Sequence, residues 1–339
     1  MSIEPKLSEL GEFGLISRIS SHVENAVGVV TGIGDDAAVT ALSPGMQLLT
    51  STDMLLEEVH FRCSWHDPYR LGRKSLAASV SDIAAMGGIP RWALLSLAVP
   101  PTVSLEFLDA FTRGFLALAA EHGVALIGGD TCSSRHGLAI SVTIMGEQEP
   151  GLIVRRSGAR PGDDIWVTGT PGDAALALAS LEKGAFPSPL AEEEREYLTS
   201  RLLDPTPRAA AGRALAEAGL VSAMIDVSDG LLADFGHIAE QSAVGGTIRL
   251  DAVPLSPAFC AAFPSHSPSR YDLALAGGED YELVFTAPVA NRGKIVQAMK
   301  KCGIDAAPVG IVTTLPGVTA VLADGSSHAP QNKGFNHFT

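Results

Sequence analysis

The chain predicts a two-domain α/β protein with mixed sheets, and three observations carry that expectation. Its 339 residues exceed the usual size of one domain. Strand-like apolar runs alternate with helical periodicity in both halves. The composition is 46% hydrophobic and 18% charged with 35 glycines, which suits a closely packed soluble fold and not a disordered chain.

Residues 8–22 predict a short amphipathic helix interrupted by Gly11 and Gly14. Strand-like runs follow at 27–31, 37–40 and 47–52, the last ending at Asp53. Asp67-Pro68 is a helix start, and the helix should run over 69–86 until Gly87-Gly88 stops it. On it Ser75, Ser79 and Asp82 share a stripe, while Leu76, Val80 and Ile83 supply the core. Arg73 and Lys74 read as helix-surface charges. Residues 92–99 predict a strand closed by Pro100-Pro101. From Ser104, a plausible N-cap, Leu105, Leu108, Phe111, Phe115 and Leu118 keep helical period until Gly123. Residues 124–127 read as a strand that ends in Gly128-Gly129-Asp130-Thr131, and 138–145 as another.

Turn formers and charge at 146–151 mark the expected boundary, giving domains 1–146 and 147–339. Beyond it come a strand at Asp164–Thr168, an alanine-rich helix at Asp173–Lys183 and an exposed Pro- and Glu-rich segment at 184–198. A helix over 207–219 has Pro at its start and Gly at its end. Then Ala223 leads through Asp226, Ser228, Asp229 and Gly230 into a helix over 231–242. Finally Gly277-Gly278-Glu279-Asp280 joins two apolar runs, with Asp280 and Glu282 read as solvated strand residues.

A formal net charge of −14 argues against a general nucleic-acid surface, because phosphate neutralisation needs clustered Lys and Arg. No apolar run approaches the roughly 20 residues of a membrane span, and no signal-peptide core is visible, so the expectation is a cytoplasmic protein. Cys63, Cys132, Cys260 and Cys302 lie far apart without a Cys-x-x-Cys pair and read as free thiols.

Gly32-Ile33-Gly34-Asp35-Asp36-Ala37 matches a relaxed dinucleotide fingerprint, with Asp53 near the expected ribose acid. That reading fails on charge: a pyrophosphate needs bare amides, and two carboxylates stand there instead. No P-loop is present either. The collective signal is stronger. Asp35, Asp36, Asp53, Asp82, Asp130, Asp226 and Asp229 sit mostly among Gly, Ser, Thr and apolar residues, with little Lys or Arg nearby. Such carboxylates in a partly buried site need cations, and oxygen-only donors select a hard ion such as Mg²⁺ or Ca²⁺. Widely separated single carboxylates favour Mg²⁺ with a nucleotide.

An ordered set of motifs then resembles a known family. It comprises Gly-Glu-Phe (11–13), Gly-Ile-Gly-Asp-Asp-Ala (32–37), Ser-Thr-Asp (51–53), Val-His-Phe (59–61) and Ser-Asp-Ile-Ala-Ala-Met-Gly (81–87). Ile-Gly-Gly-Asp-Thr (127–131), Arg-Ser-Gly-Ala-Arg-Pro-Gly-Asp (156–163), Val-Thr-Gly-Thr-Pro-Gly (167–172), Ile-Asp-Val-Ser-Asp-Gly-Leu (225–231) and Gly-Gly-Glu-Asp-Tyr-Glu-Leu (277–283) continue it. Together they resemble the thiamine-monophosphate kinases, of the aminoimidazole-ribonucleotide-synthetase-like superfamily.

The resemblance implies an N-terminal ATP- and Mg-binding domain that pairs into a β-barrel in a homodimer, and a C-terminal α/β domain completing the substrate cleft. It implies ATP as co-substrate, thiamine monophosphate as acceptor, and several Mg²⁺ ions on Asp36, Ser51, Thr52, Asp53, Asp82, Asp130, Asp226 and Asp229. Spacing alone does not choose between Asp35 and Asp36. Gly129, Asp130, Arg156 and Ser228 are expected at ATP, and His60, Glu279 and Phe335 at thiamine monophosphate. Asp82, Asp130 and Asp229 are expected to carry catalysis. Phe335 stands where relatives often have Tyr or Trp. The rival readings are another ATP-dependent enzyme of the superfamily and a noncatalytic Mg-nucleotide sensor.

Overall fold

The computed structural model describes residues 7–23, 26–263, 270–331 and 334. The chain divides into two units, Met1–Ile83 with Ile89–Pro150, and Ala84–Gly88 with Gly151–Thr339.

The first unit opens with α1 (Leu7–Ser20), broken at Gly11, and a small ladder of β1 (Val29–Thr31) and β2 (Val39–Thr40) that flanks Asp35 and Asp36. It continues through β3 (Gln47–Leu56), α2 (Pro68–Ala85), β4 (Ile89–Val99), α3 (Leu105–His122), β5 (Ala125–Ser133) and β6 (Ala139–Gln148). The four main strands form one mixed sheet in the order β3-β6-β4-β5, with only β4 and β5 parallel. Helix α3 has the expected bounds because Ser104 Oγ accepts the Phe107 N–H at 3.2 Å and Gly123 closes it in a left-handed conformation.

Three expectations are corrected here. Asp53 and Asp130 do not end their strands. They lie within them, opposite Val142 and Ser96, because the ladder continues past the glycines. A Cβ on Gly129 would run into the Leu95 carbonyl, so glycine there lets β5 close onto β4. Strand β6 also runs on to Gln148, since buried Glu147 is held by Ser43 and Arg91 at 2.8 Å. Lys74 is fully buried and not a surface charge, because it shares the inward stripe of α2 with Leu71, Ser75 and Ala78. Its neighbour Arg73 is also largely covered, 15% exposed, and its guanidinium reaches the exposed Glu121 at 2.7 Å.

The second unit contains β7 (Asp164–Thr168), α4 (Asp173–Lys183), α5 (Glu192–Leu203), α6 (Ala209–Glu217), β8 (Ala223–Val227), α7 (Leu231–Gln241), β9 (Gly245–Arg249) and α8 (Pro257–Ala262). It ends with α9 (Tyr271–Ala276), β10 (Glu282–Ala287), α10 (Arg292–Lys301), β11 (Ala306–Thr313), β12 (Gly317–Val321) and β13 (Ser327–His328). Seven strands order as β13-β12-β9-β11-β7-β10-β8, over a core of residues such as Ile165, Ile225, Phe235, Ile248 and Val284. The segment expected to be exposed up to 198 becomes α5 from Glu192, and Leu198, Leu202 and Leu203 are buried. Three glutamates in its first turn hid the helix in the sequence, yet acids there suit the positive end of the dipole. Among the described residues no helix is long and apolar enough to cross a membrane, and the four cysteines are free thiols.

Asp280 and Glu282 are fully buried and not solvated. Glu282 receives Thr168 Oγ1 at 2.6 Å, Arg201 at 2.7 Å and Arg208 at 2.5 and 2.7 Å. Burial pushes its pKa up, but Arg208, Arg201 and Thr168 more than offset this and hold it below the ordinary glutamate range. Removing one partner of such a buried pair leaves the others uncompensated, so Glu282→Ala should lower unfolding free energy by about 3–5 kcal/mol in urea titrations. Glu192→Ala, at the exposed pair with Arg195, should change it by less than about 1 kcal/mol. With a depressed folded pKa, the advantage of Glu282 is fully present above the ordinary glutamate pKa of about 4.3 and declines as pH falls through the folded value.

Candidate active site

Strand alternation decides which side chains of the first unit can meet. On β3, Leu49, Ser51, Asp53 and Leu55 turn to the side with less exposure, while Leu48, Thr52, Met54 and Leu56 are exposed on the other. Helix α2 meets the first set. Ser79 Oγ donates to Asp53 at 2.5 Å, and Ser51 Oγ donates to Asp82. The predicted stripe on α2 therefore delivers Ser79 and Asp82 to β3. Ser75 does not join them, because it is buried and donates to the Gly72 carbonyl at 2.8 Å. Burial raises the Asp53 pKa to about 6, the Asp82 charge adds to the rise, and the Ser79 hydrogen bond opposes it. Two carboxylates this close raise the cost of ionising each other, and with the two serine hydroxyls they form an all-oxygen array that a hard cation would relieve.

Thr52 and Asp130 belong to the opposite face. Thr52 Oγ1 meets Thr143 Oγ1 at 3.0 Å. Asp130 is exposed and pairs in register with Ser96, which follows Ser141 and Met54 across the sheet. It stands on the edge strand remote from β3, three strand spacings or roughly 14 Å away. Asp35 and Asp36 are exposed in their turn, where the Asp35 carboxylate accepts the Asp36 N–H at 2.9 Å. Among the described residues no three His, Cys, Asp or Glu side chains gather as one metal cluster. The expected ligands of this unit are thus brought together as the Ser51, Asp53 and Asp82 group, with Asp36, Thr52 and Asp130 apart from it. His60, half-buried, accepts the Leu56 N–H on Nδ1 at 3.0 Å, so its neutral ring carries the proton on Nε2. Gly129 is exposed beside Asp130.

In the second unit β8 carries Asp226, and the loop after it carries Ser228 and Asp229. Nothing in the sequence singled out Asp234, yet its Oδ2 accepts the N–H groups of Ser228, Asp229 and Gly230, each at 3.0 Å. An acid in the first turn of a helix is ordinary, so only the fold reveals what it touches. Glu279 donates its N–H to the Ser228 carbonyl at 2.8 Å and has φ of 71°. Gly334 packs where a Cβ would stand 3.1 Å from the Asp229 carbonyl, so that residue lies against this loop. Phe335 itself lies outside the described residues. Arg156 is exposed ahead of β7.

Comparison with known proteins identifies the family of the chain. Residues 34–148 match the N-terminal domain, and residues 160–323 the C-terminal domain, of the AIR synthase related proteins. The chain is 41% identical over 330 residues to the thiamine-monophosphate kinase of Salmonella typhimurium, covering 97% of this chain and 98% of that protein. A crystal structure of thiamine-monophosphate kinase from Stenotrophomonas maltophilia superposes with a TM-score of 0.81 at 38% identity, over 92% of this chain and 95% of that one. The Aquifex aeolicus protein AaThiL, complexed with AMPPCP and TMP, superposes with a TM-score of 0.75 at 32% identity, over 99% of this chain and 100% of that one.

The raised Asp53 pKa has a sign that can be measured. Its ionised form is disfavoured in the fold, so the cost is absent below the ordinary aspartate pKa and fully present above about 6. Asp53→Asn, which keeps an acceptor for Ser79, should raise the melting temperature of metal-free protein at pH 8 and lose that gain near pH 4. The same variant should show a smaller rise in melting temperature on adding Mg²⁺. Equal Mg²⁺ responses in the two proteins would remove Asp53 from the ligand set.

Proposed function

The chain belongs to the thiamine-monophosphate kinase family of AIR synthase related proteins, and we infer on that footing that it transfers the γ-phosphoryl group of ATP to thiamine monophosphate, yielding ADP and thiamine diphosphate. This is the final phosphorylation of thiamine diphosphate biosynthesis. The observation that carries the reading at the level of chemistry is the Asp53 and Asp82 pair with its Ser79 and Ser51 hydroxyls. Its donors are all oxygen, which suits Mg²⁺, and burial together with the Asp82 charge raises the Asp53 pKa, a cost that a bound cation would offset.

Ser51, Asp53 and Asp82 would hold Mg²⁺ on the helix face, and Asp36, Thr52, Asp130, Asp226 and Asp229 are assigned to further ions of the set. Thr52 enters through resemblance alone, because its hydroxyl faces the other way. Bound Mg²⁺ supplies charge neutralisation to the transferring phosphoryl oxygens. The remaining work is positioning. The acceptor is a phosphate whose second pKa is about 6, so it is mostly ionised near neutral pH and no side chain need remove a proton. His60 can donate from Nε2 to an acceptor oxygen, a role set by the Leu56 N–H on its other nitrogen. Arg156 is assigned to ATP phosphate through its guanidinium, Gly129 through close backbone approach, and Ser228 through its hydroxyl. The Glu279 carboxylate suits the cationic thiamine moiety, and Phe335 is assigned to the same substrate.

A homodimer belongs to this proposal. Strand β3 is a sheet edge whose open face shows Leu48, Met54 and Leu56, 48%, 59% and 37% exposed. Pairing two sheets into a barrel would cover them and bring the β5 edge of one copy to the β3 edge of the other.

Incubation with ATP, Mg²⁺ and thiamine monophosphate should form thiamine diphosphate, read by chromatography. Asp82→Asn and Asp130→Asn should each reduce turnover by about 10²-fold or more while circular dichroism stays unchanged. Full activity in both variants would sink the metal assignment, and tight ATP binding without turnover would favour a sensor. Light scattering should give a dimer, and Met54→Glu should shift it toward monomer.

A further inference from the structure

We propose that Asp234, which lies outside the expected ligand set, is a positioning residue for the transfer, fixing the 228–230 loop and, through the Ser228 carbonyl, the backbone of Glu279. Three consecutive N–H groups that converge at a helix start make an anion cradle, the kind of feature that elsewhere receives a phosphate. In this chain the cradle is filled from within. One carboxylate oxygen, Oδ2 of Asp234, takes the N–H groups of Ser228, Asp229 and Gly230 at 3.0 Å each, and the residue is only 2% exposed. The loop therefore offers ligands its Ser228 and Asp229 side chains, not its amides.

With its amides turned to Asp234, the loop presents carbonyls to the segment ahead of β10. Ser228 accepts from the Glu279 N–H at 2.8 Å and Val227 from the Tyr281 N–H at 2.9 Å. The two backbones are in close contact: a Cβ on Gly278 would collide with the Ser228 carbonyl, and one on Gly230 would stand 2.9 Å from Ala276 Cα. Glu279 and Tyr281 have φ of 71° and 51°, a left-handed backbone that side chains other than glycine rarely adopt. Such conformations persist where the surroundings over-determine them, and the bonds to Val227 and Ser228 do so. Loss of the Asp234 carboxylate would free the three amides, let the loop rotate, and release Glu279 with it.

The functional half of this inference rests on the kinase reading, whereas the geometric half does not. Asp234→Asn retains an oxygen acceptor, and Asp234→Leu fills the space without one. In the full chain, amide exchange over 226–231 should stay slow in the Asn variant and speed up about tenfold or more in the Leu variant. The Asn variant should keep nearly wild-type kinetics. The Leu variant should need about tenfold more Mg²⁺ for half-maximal rate, with a raised KM for thiamine monophosphate and kcat reduced about 10²-fold. If the Leu variant does not fold, Asp234→Ala serves in its place. Wild-type exchange in the Leu or Ala variant overturns the proposal. So does fast exchange with unchanged Mg²⁺ dependence and KM per folded molecule, because that pattern belongs to a purely structural cap. Should the wild type make no thiamine diphosphate, the kinase reading fails, and exchange together with Mg²⁺- and ATP-induced thermal shifts decides the positioning role.

Discussion

Carboxylates withdrawn from water need a positive or donating group opposite them, and both units are arranged around that constraint. Each buried acid meets it differently. Glu282 is answered by two arginines, Asp234 by three backbone amides, and Asp280 by the Gly172 N–H at 2.7 Å. Asp53 and Asp82 stand close together and each accepts from a serine hydroxyl. Acids of the first kind hold the fold together, whereas burial and the Asp82 charge both raise the cost of ionising Asp53, which a cation would offset. The same residue type thus serves as scaffold or as ligand according to what the fold places around it.

Much of the fold was legible because its signals are local. Ser104 and Gly123 bracket α3 by capping chemistry, and Pro68 with the glycines after Met86 bracket α2. The strand ends were less legible, since pairing partners decide them: Asp53 and Asp130 lie inside strands only because Val142 and Ser96 stand opposite. Helix α5 was hidden behind three consecutive glutamates, and Lys74 behind its own charge. In both cases the position on the helix prevailed over the polarity of individual residues.

The candidate site was legible in kind and less so in arrangement. The stripe of Ser75, Ser79 and Asp82 was readable from helical spacing, but only the structure shows that Ser79 and Asp82 meet β3 while Ser75 does not. The division of neighbouring residues Ser51, Thr52 and Asp53 between two faces follows from strand pleating, once that run is known to be strand throughout. Asp234 had no local signature, because the three amides it serves become convergent only when the loop folds back over the start of α7. Supporting groups of this kind are visible in three dimensions well before they are visible in sequence.

The pleat of β3 carries one further consequence. Its odd-numbered residues serve the helix and its even-numbered residues the open face, so a single-residue slip against β6 would carry Asp53 away from Ser79 and turn Met54 inward. Hydrophobic burial of Leu49 and Leu55 opposes that slip. The two leucines therefore act as a ruler for the chemistry between them, and insertions in β3 would be tolerated far less well than substitutions.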